Sequence, residues 1–227
     1  MKEATIKKTK TYEPVPFKWL QDQVLKQLSI KGYEIIQRID KFQKDKDINT
    51  SKIMACRWII KSNDSDINKM FALLTSHNKK HAVVFASGIN VAICTNGLIL
   101  GTIRLSRKHT GKNCKADIIA NIKEAIKAID KNYEIAQSDI AIMKANYGNP
   151  YELFGKLVAH DYFTTLKQMK SVSLELNIQD IMNSEDNEIN MWDFYNIINA
   201  SFKSIRGDKY IAHHAMLHNF IMDYIND

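Results

Sequence analysis

The pattern of apolar and polar positions predicts a helix followed by a series of strands in the first half of the chain. Apolar residues recur at helical spacing over Phe17–Ser29, namely Trp19 or Leu20 and then Val24 and Leu28, and Gly32 lies just past the predicted end. A strand is predicted at Tyr33–Ile39. The polar segment at residues 41–52 is predicted to be a loop.

A period of two begins after this loop and predicts a sheet. In Ile53–Lys61 the residues Met54, Cys56, Trp58 and Ile60 are expected to face a core, which places Arg57 and Lys61 on the opposite, polar face. Further strands are predicted at Ile67–Ser76, His81–Ala86, Ile89–Thr95 and Leu98–Leu105, with turns at residues 77–80, Ser87-Gly88 and Asn96-Gly97. Asn96-Gly97 is the strongest hairpin signal, because both residues accept a positive φ. The result is an antiparallel meander of about four to six strands.

A heptad pattern replaces the period of two after Gly111 and predicts one long helix. Its apolar positions are spaced alternately by three and four residues, and they are Ile119, Ile122, Ile126, Ile129, Tyr133, Ala136, Ile140, Met143 and Tyr147. A continuous helix of this length would be about 45 Å long. Two alternatives follow: the seam packs on its own sheet and on the returning helix, or residues 119–147 pair with other subunits in a homo-oligomer.

The rest of the chain predicts further helices. Gly148-Asn149-Pro150 ends the long helix, and Tyr151–Leu176 is predicted to run back as a second one. A polar, acidic loop at residues 183–190 precedes helices at Met191–Ser204 and Lys209–Ile225, with a turn at Arg206–Asp208 between them. The predicted fold class is α+β, with a loose basic arm at residues 1–16, a basic β-rich part at 17–115 and a helical part at 116–227, packed together as one domain.

Charge is distributed unequally between the two halves of the 227 residues. Residues 1–115 carry 22 Lys and Arg against 9 Asp and Glu, whereas residues 116–227 carry 10 against 16. This asymmetry indicates that the first half binds a polyanion such as nucleic acid. The alternatives are that the basic half pairs with the acidic half of its own chain or of a neighbour, or that it serves solubility alone.

Several classes of protein are disfavoured by composition. No apolar run approaches the roughly 18 residues that span a bilayer, and the polar N-terminus lacks the apolar core of a signal peptide. We therefore expect a soluble, cytoplasmic protein without a membrane partner. Cys56, Cys94 and Cys114 are widely spaced and odd in number, which indicates reduced thiols rather than disulfides or a metal site.

The densest group of cations lies where the last strand meets the long helix. It consists of Arg104, Arg107, Lys108, His109, Lys112 and Lys115. The turn with Lys79 and Lys80 can reach the same edge of the sheet, and Arg57 and Lys61 would extend the patch over its polar face. Long cationic side chains bind phosphates, and the planar fork of arginine does so with two hydrogen bonds. Because Trp58 is expected in the core, contacts to the nucleic-acid backbone are favoured over base-specific ones. The alternative is a solvated basic rim.

The histidines are weaker candidates for chemistry. His214 and His218 share a helix face, but Ala215 stands where a zincin motif requires Glu, so His213, His214 and His218 are interpreted as ordinary helix histidines and no metal or cofactor is predicted. His77 and His109 lie in predicted turns. A nuclease would need clustered carboxylates beside them, and the basic half offers only Asp64 and Asp66 close together. No catalytic residue is predicted, and the balance is against an enzyme.

Four short motifs recur in an order that resembles a known family. They are Thr75–Asn78, Cys94–Gly97, Arg107–Thr110 and Trp192–Asn196. The set resembles a phage- and plasmid-borne family, domain of unknown function 932, over about residues 52–205. That resemblance implies a mobile element in a bacterial host cell and supplies no activity. The architecture of a basic meander leading into a long helix is also similar to that of phage single-strand annealing proteins, which form rings or filaments and hold single-stranded DNA in a basic groove.

Two main hypotheses follow. The first is a phage-type nucleic-acid-binding protein that contacts single-stranded DNA non-specifically and takes part in annealing or recombination. The second is a non-catalytic interaction protein of a mobile element that binds and inhibits a host defence protein. A nuclease that uses His77 and His109 is a third, weaker hypothesis.

Overall fold

The computed structural model describes residues 2–3, 9–10, 12–44, 50–64, 67–77, 82–91, 97–98, 104–163, 165–176, 188–201 and 207–227. It confirms the α+β class, with strands mainly in the first half and helices mainly in the second. The chain divides into two compact units, Met1–Glu134 and Ile135–Asp227. This division falls inside a helix, whereas composition divides the chain at residues 115 and 116.

The first unit contains most of the strands. Its elements are β1 (Lys2–Glu3), α1 (Phe17–Ile30), β2 (Ile35–Lys44), β3 (Thr50–Ile60), β4 (Ile67–Ser76), β5 (Val83–Val91), β6 (Gly97–Leu98), β7 (Arg104–Arg107), α2 (Cys114–Lys127) and the beginning of α3 (Ile129–Ala145). The predicted helix at Phe17–Ser29 is confirmed, and Gly32 follows it with a φ of 74°.

The sheet is built on an antiparallel meander, as predicted. Strands β2, β3, β4 and β5 pair in that order, and β6 and β7 each pair antiparallel with β5 at different positions. The short β1 pairs with the beginning of β3 in parallel. In this register Trp58 of β3 lies between Arg38 and Phe71.

Two predicted turns and one predicted loop are wrong. Ser87-Gly88 lies inside β5, because Phe85 and Ile89 on either side keep the same alternation and are buried. Gly97 pairs with Asn90, so it is not the second residue of a two-residue hairpin turn. Of the predicted loop at residues 41–52, residues 41–44 belong to β2 and residues 50–52 to β3, while residues 45–49 lie outside the described residues. β2 runs to Lys44, which pairs with Ser51. The polar residues of this segment are compatible with a strand because β2 lies at the edge of the sheet, where it meets water.

Some predicted features fall outside the described residues. These are most of the turn at residues 77–80, the segment 92–96 with Asn96 and Cys94, and the middle of the predicted strand at Leu98–Leu105. The two ends of that last strand are present as β6 and β7.

One face of the sheet and two helices form the main core of the first unit. Met54, Cys56, Trp58 and Ile60 are all buried, as predicted. They belong to one cluster with the apolar stripe of α1 and that of α2, which includes Leu20, Val24, Leu28, Ile118, Ile122 and Ile126. Burial of this much apolar surface is the principal stabilising contribution to the unit.

The second face of the sheet is not the open polar surface that the sequence predicts. Ile59, Met70, Leu74 and Val84 are buried there, and Arg57 is half-buried. The apolar residues on both faces explain why the alternation along β4 and β5 is weak in the sequence, since strands covered on both sides need no polar positions.

The predicted loose arm is also wrong in its second part. Tyr12 and Val15 are buried, at 5% and 0% exposure. Tyr12 forms a bridge with Thr110, and the backbone N–H of Glu13 donates to the carbonyl of His109 at 2.9 Å. The segment from Tyr12 to Phe17 therefore packs against the region where β7 meets α2.

The predicted long helix is interrupted at Ala128. Its N–H bonds to the carbonyl of Ile126 as α2 ends, and α3 begins at the next residue. The seam positions Ile122, Ile126 and Ile129 pack in the core of the first unit, while further along Tyr133, Ala136, Ile140 and Met143 are buried and Tyr147 is 60% exposed. This burial within the chain favours the alternative in which the seam packs on its own fold. The homo-oligomer through residues 119–147 stays a prediction.

The second unit is helical. After the end of α3 it contains β8 (Tyr147–Gly148), α4 (Pro150–Ala159), α5 (Leu166–Glu175), β9 (Ile189–Asn190), α6 (Met191–Ala200) and α7 (Gly207–Asn226). The stop at residues 148–150 is confirmed: the Asn149 side chain accepts hydrogen bonds from the N–H groups of Tyr151 and Glu152, and Pro150 is in the first turn of α4. None of the described helices is both long and apolar enough to cross a membrane.

Two predictions in this unit are wrong. The helix predicted at Tyr151–Leu176 is broken at Asp161, which has a φ of 51°, and α5 restarts behind a capping box of Thr165 and Gln168. Gly207 and Asp208 belong to α7 instead of a turn, while Arg206 lies outside the described residues. Of the predicted acidic loop, Ile189 and Asn190 form β9 against β8, and residues 183–187 are likewise not described.

Candidate nucleic-acid interface

The junction between β7 and α2 carries most of the cations that the sequence singles out. β7 is held at its end by pairing with β5, where Arg107 lies opposite Val83. The chain turns at Gly111, whose φ of 87° suits glycine, and α2 begins at Cys114. We call residues 104–115 the junction.

Arg107 is committed to contacts within the protein. Its Nε and one terminal nitrogen donate to Oδ2 of Asp117 at 3.0 and 2.8 Å. The remaining contacts are to the carbonyls of Thr110 at 3.1 Å and Lys108 at 3.4 Å. The planar fork that could grip a phosphate instead fastens the junction to the first turn of α2, where the Asp117 carboxylate also suits the helix dipole.

His109 is buried and contributes no charge. Its Nε2 lies 3.1 Å from the hydroxyl of Thr75. Burial and then the nearby His77 lower the pKa of His109 to about 4, against a weaker opposing effect of a hydrogen bond with the backbone of Glu13. At neutral pH the ring is therefore uncharged.

His77 is also a structural residue of this region. Its Nε2 donates to the carbonyl of Val15 at 2.9 Å, and its ring stacks on Phe17 with the centroids 4.0 Å apart. The two histidines that the nuclease hypothesis would use thus hold the segment from Tyr12 to Phe17 in place.

Arg57 and Arg104 lie in one row across the sheet. Arg57 pairs with Ala72, Ala72 with Ala86, and Ala86 with Arg104. The row is on the second face, where both alanines are buried. Only the backbone of Arg104 is among the described atoms. A positive charge on Arg57 also bears on Lys41, whose pKa is lowered by burial first and by Arg57 second.

Lys61 lies away from the junction. It follows β3 at the end of the sheet where Ile60 pairs with Lys69, and its Nζ is 3.0 Å from Oε2 of Glu34. Lys79 and Lys80 lie outside the described residues, so the predicted turn that would carry them to the junction stays a prediction.

Three lysines of the junction remain open to solvent. Lys108, Lys112 and Lys115 are exposed, and none of them forms an ion pair with a described residue. The Nζ of Lys115 lies 5.7 Å from the ring centroid of Trp19 in α1.

Trp19 is a candidate that sequence reasoning missed. The helical pattern gave Trp19 or Leu20 as the first core position of α1. Leu20 is completely buried, whereas Trp19 is only partly buried and packs at the edge of the core. The signal that could have shown this is the stripe of Leu20, Val24 and Leu28, since residue 19 lies about 100° to one side of it.

The remaining polar clusters do not assemble a metal site. Among the side chains that the structure describes, no three of His, Cys, Asp and Glu are placed to hold a metal ion. His213 and His214 are buried in α7, and Nε2 of His218 lies 3.3 Å from Asp139. Cys56 and Cys114 are buried free thiols.

Comparison of the chain with family models, with curated proteins and with solved structures gives no match. The resemblances to the family of unknown function and to annealing proteins therefore stay predictions.

Proposed function

We propose that the protein binds single-stranded DNA without sequence preference through Lys108, Lys112 and Lys115. The observation that carries the proposal is that these three ammonium groups lie on one short segment, exposed and without acidic partners among the residues that the structure describes. Phosphate backbones attract such groups irrespective of sequence.

Rigidity of the junction supports the same function. Arg107 fixes the segment to Asp117 on one side, and the Glu13 N–H fixes the carbonyl of His109 on the other. Lysines on a segment that is already held lose less conformational entropy on binding than lysines on a free arm. Arg107 and His109 therefore act on the proposed interface by positioning it, and the phosphate contacts fall to the lysines.

The distribution of acids adds to the attraction. No Asp or Glu occurs between residues 67 and 116, and Asp117, the first acid after that stretch, is paired with Arg107. A nucleic acid at the junction would therefore meet little opposing charge from this part of the sequence. Annealing of two strands is a further step of the same proposal. It requires the bound strand to keep its bases accessible, and lysines that contact phosphates leave most bases free to pair.

The test is a titration of a fluorescently labelled oligo(dT) at low salt. We expect micromolar binding or tighter, with log K falling against log salt with a slope of about −2 for three phosphate contacts to a single strand. The triple variant Lys108→Ala, Lys112→Ala, Lys115→Ala should weaken binding by at least about tenfold and flatten the slope toward zero.

The matched control removes three exposed lysines from the second unit: Lys144→Ala, Lys167→Ala, Lys170→Ala. It changes the net charge by the same amount, so an equal loss of affinity in both triple variants would mean that only total charge matters. That result, or the absence of micromolar binding by the unaltered chain, would overturn the proposal.

A further inference from the structure

Trp19 lies beside the lysines of the junction without being a full member of the core. One part of the indole packs against the buried cluster of the first unit, and the remainder is accessible. The Nζ of the exposed Lys115 lies 5.7 Å from the centroid of this ring. α1 and α2 pack side by side, which brings an aromatic ring next to a cation that has no ion-pair partner in the described part of the chain.

The other two tryptophans are not available in the same way. Trp58 is completely buried between the sheet and the helices, and Trp192 in α6 is 9% exposed and stacked on Tyr195. The chain has three tryptophans, so Trp19 is the one with the accessible ring.

The contact between Lys115 and Trp19 can be exchanged for a better one. An exposed cation–π contact is weak, whereas stacking of a nucleobase on an indole is stronger and tolerates any base. A base on the indole would also free the Lys115 ammonium to contact a phosphate. The nearest acid on the same helix, Asp22, is paired with Lys18 at 3.3 Å and so opposes this only weakly.

We infer that Trp19 is a stacking platform for an unpaired base, with Lys115 and Lys112 holding the adjoining phosphates. The inference rests on the proposed function and deepens it, because it names the feature that selects single strands. A duplex keeps its bases stacked inside and offers the indole only a backbone.

The test uses intrinsic tryptophan fluorescence of the full chain. Addition of oligo(dT) should quench part of the emission, and Trp19→Leu should remove that quenching. Leucine retains apolar packing at the edge of the core but has no π-face. We expect Trp19→Leu to weaken binding of oligo(dT) by about five- to a hundredfold, with the salt slope unchanged, and Trp19→Phe to recover part of the loss.

Two controls make the result specific. A duplex of the same length should bind the unaltered chain and Trp19→Leu equally, and Tyr147→Ala, which removes a 60% exposed ring in the second unit, should leave binding and quenching unchanged. Melting curves establish that the variants are folded.

The two proposals fail differently. If oligo(dT) binds in a salt-dependent, lysine-dependent way but Trp19→Leu binds as tightly as the unaltered chain and no emission is quenched, stacking is refuted and the lysine interface stands. If no oligonucleotide binds at low salt, both fall.

Discussion

Lys69 and Asp130 form an ion pair that joins the sheet to the start of α3. The Nζ of Lys69 lies 2.6 Å from Oδ1 of Asp130, and the hydroxyl of Tyr33 donates to Oδ2 of the same carboxylate at 2.8 Å. The Lys69 ammonium also lies 5.7 Å from the ring of Tyr33 and 5.4 Å from that of Tyr133. A carboxylate and two rings thus surround the Lys69 ammonium, and they hold the first turn of α3 against the sheet just after the interruption at Ala128.

This arrangement predicts coupling between Lys69 and Asp130. In a double-mutant cycle with Lys69→Met and Asp130→Asn, we expect a coupling free energy of about 1 kcal/mol. This is at the upper end for exposed pairs because the Lys69 side chain is only 21% exposed, and it is not larger because Asp130 is 57% exposed and screened by water. Urea unfolding measures it. The exposed Lys18–Asp22 pair within α1 should give a smaller value, and equal coupling at the two sites would refute the special role of the rings.

The same carboxylate should make part of the stability depend on pH. Burial raises the pKa of Asp130, but hydrogen bonds from Lys69 and Tyr33 outweigh it and hold the pKa below its ordinary value. Because the pKa of Asp130 is lower in the folded chain than in the unfolded chain, the ionised carboxylate stabilises the fold at any pH above the unfolded pKa of about 3.9. This stabilisation is lost as the pH falls through the pKa of the folded chain. The stability difference from Asp130→Asn should therefore shrink below about pH 4; a difference that stays constant to pH 2 would contradict this.

His109 should also make stability fall as the pH falls, but over a higher range of pH than Asp130. Its pKa is lowered from 6.5 to about 4 in the folded chain. The unfolded chain therefore binds a proton first, and stability falls as the pH drops from about 6.5 toward 4, by an amount on the order of 3 kcal/mol. His109→Gln should remove this part of the pH dependence, whereas the exposed His160→Gln should not. An NMR titration in which the His109 ring protonates near pH 6.5 would show the assignment to be incorrect.

Cys56 should be inert in the native state. Burial and then a hydrogen bond to Asp40 raise the pKa of its thiol to about 12, so almost no thiolate exists at pH 8. Iodoacetamide labelling at pH 8, followed by peptide mass spectrometry, should leave Cys56 unmodified until urea unfolds the chain. Rapid labelling of Cys56 without denaturant would mean that the side chain is accessible.

Substitutions at Asp161 should change stability in the way expected for a residue with a left-handed backbone conformation. At a φ of 51° a side chain is strained and glycine is not. Asp161→Gly should raise the free energy of unfolding by about 0.5 kcal/mol, and Asp161→Val should lower it by about 1–2 kcal/mol. The same change to glycine at Asp193, in the first turn of α6, should destabilise by up to about 1 kcal/mol. Thermal melts distinguish these signs.

Much of the fold could be predicted because burial of one face repeats apolar residues at every second position of a strand and at every third or fourth position of a helix. The alternation around Trp58 identified β3 and its core face, and the spacing of Leu20, Val24 and Leu28 identified α1. The interruption at Ala128 could not be predicted, since alanine favours helix and the apolar spacing continues across it. The continuation of β5 through Gly88 was hidden because glycine next to serine is a typical turn signal.

Less of the candidate site could be predicted, because contacts between distant residues decide which cations remain free. Sequence counted Arg107 and His109 as cations of the interface. In the structure Arg107 forms an ion pair with Asp117, and His109 is buried beside Thr75. The stripe of Leu20, Val24 and Leu28 indicates that Trp19 lies to one side of the core face, but its position beside Lys115 depends on the packing of α2 next to α1, which no local pattern encodes.

The bridge between Tyr12 and Thr110 has a consequence for the order of events on the ribosome. Tyr12 is synthesised before the meander, but its partner Thr110 and the carbonyl of His109 that receives the Glu13 N–H are synthesised only after the whole meander has been made. The strands of the meander can pair as neighbours while translation continues. The segment around Tyr12 thus reaches its native position later than the strands of the meander, although it precedes them in the chain.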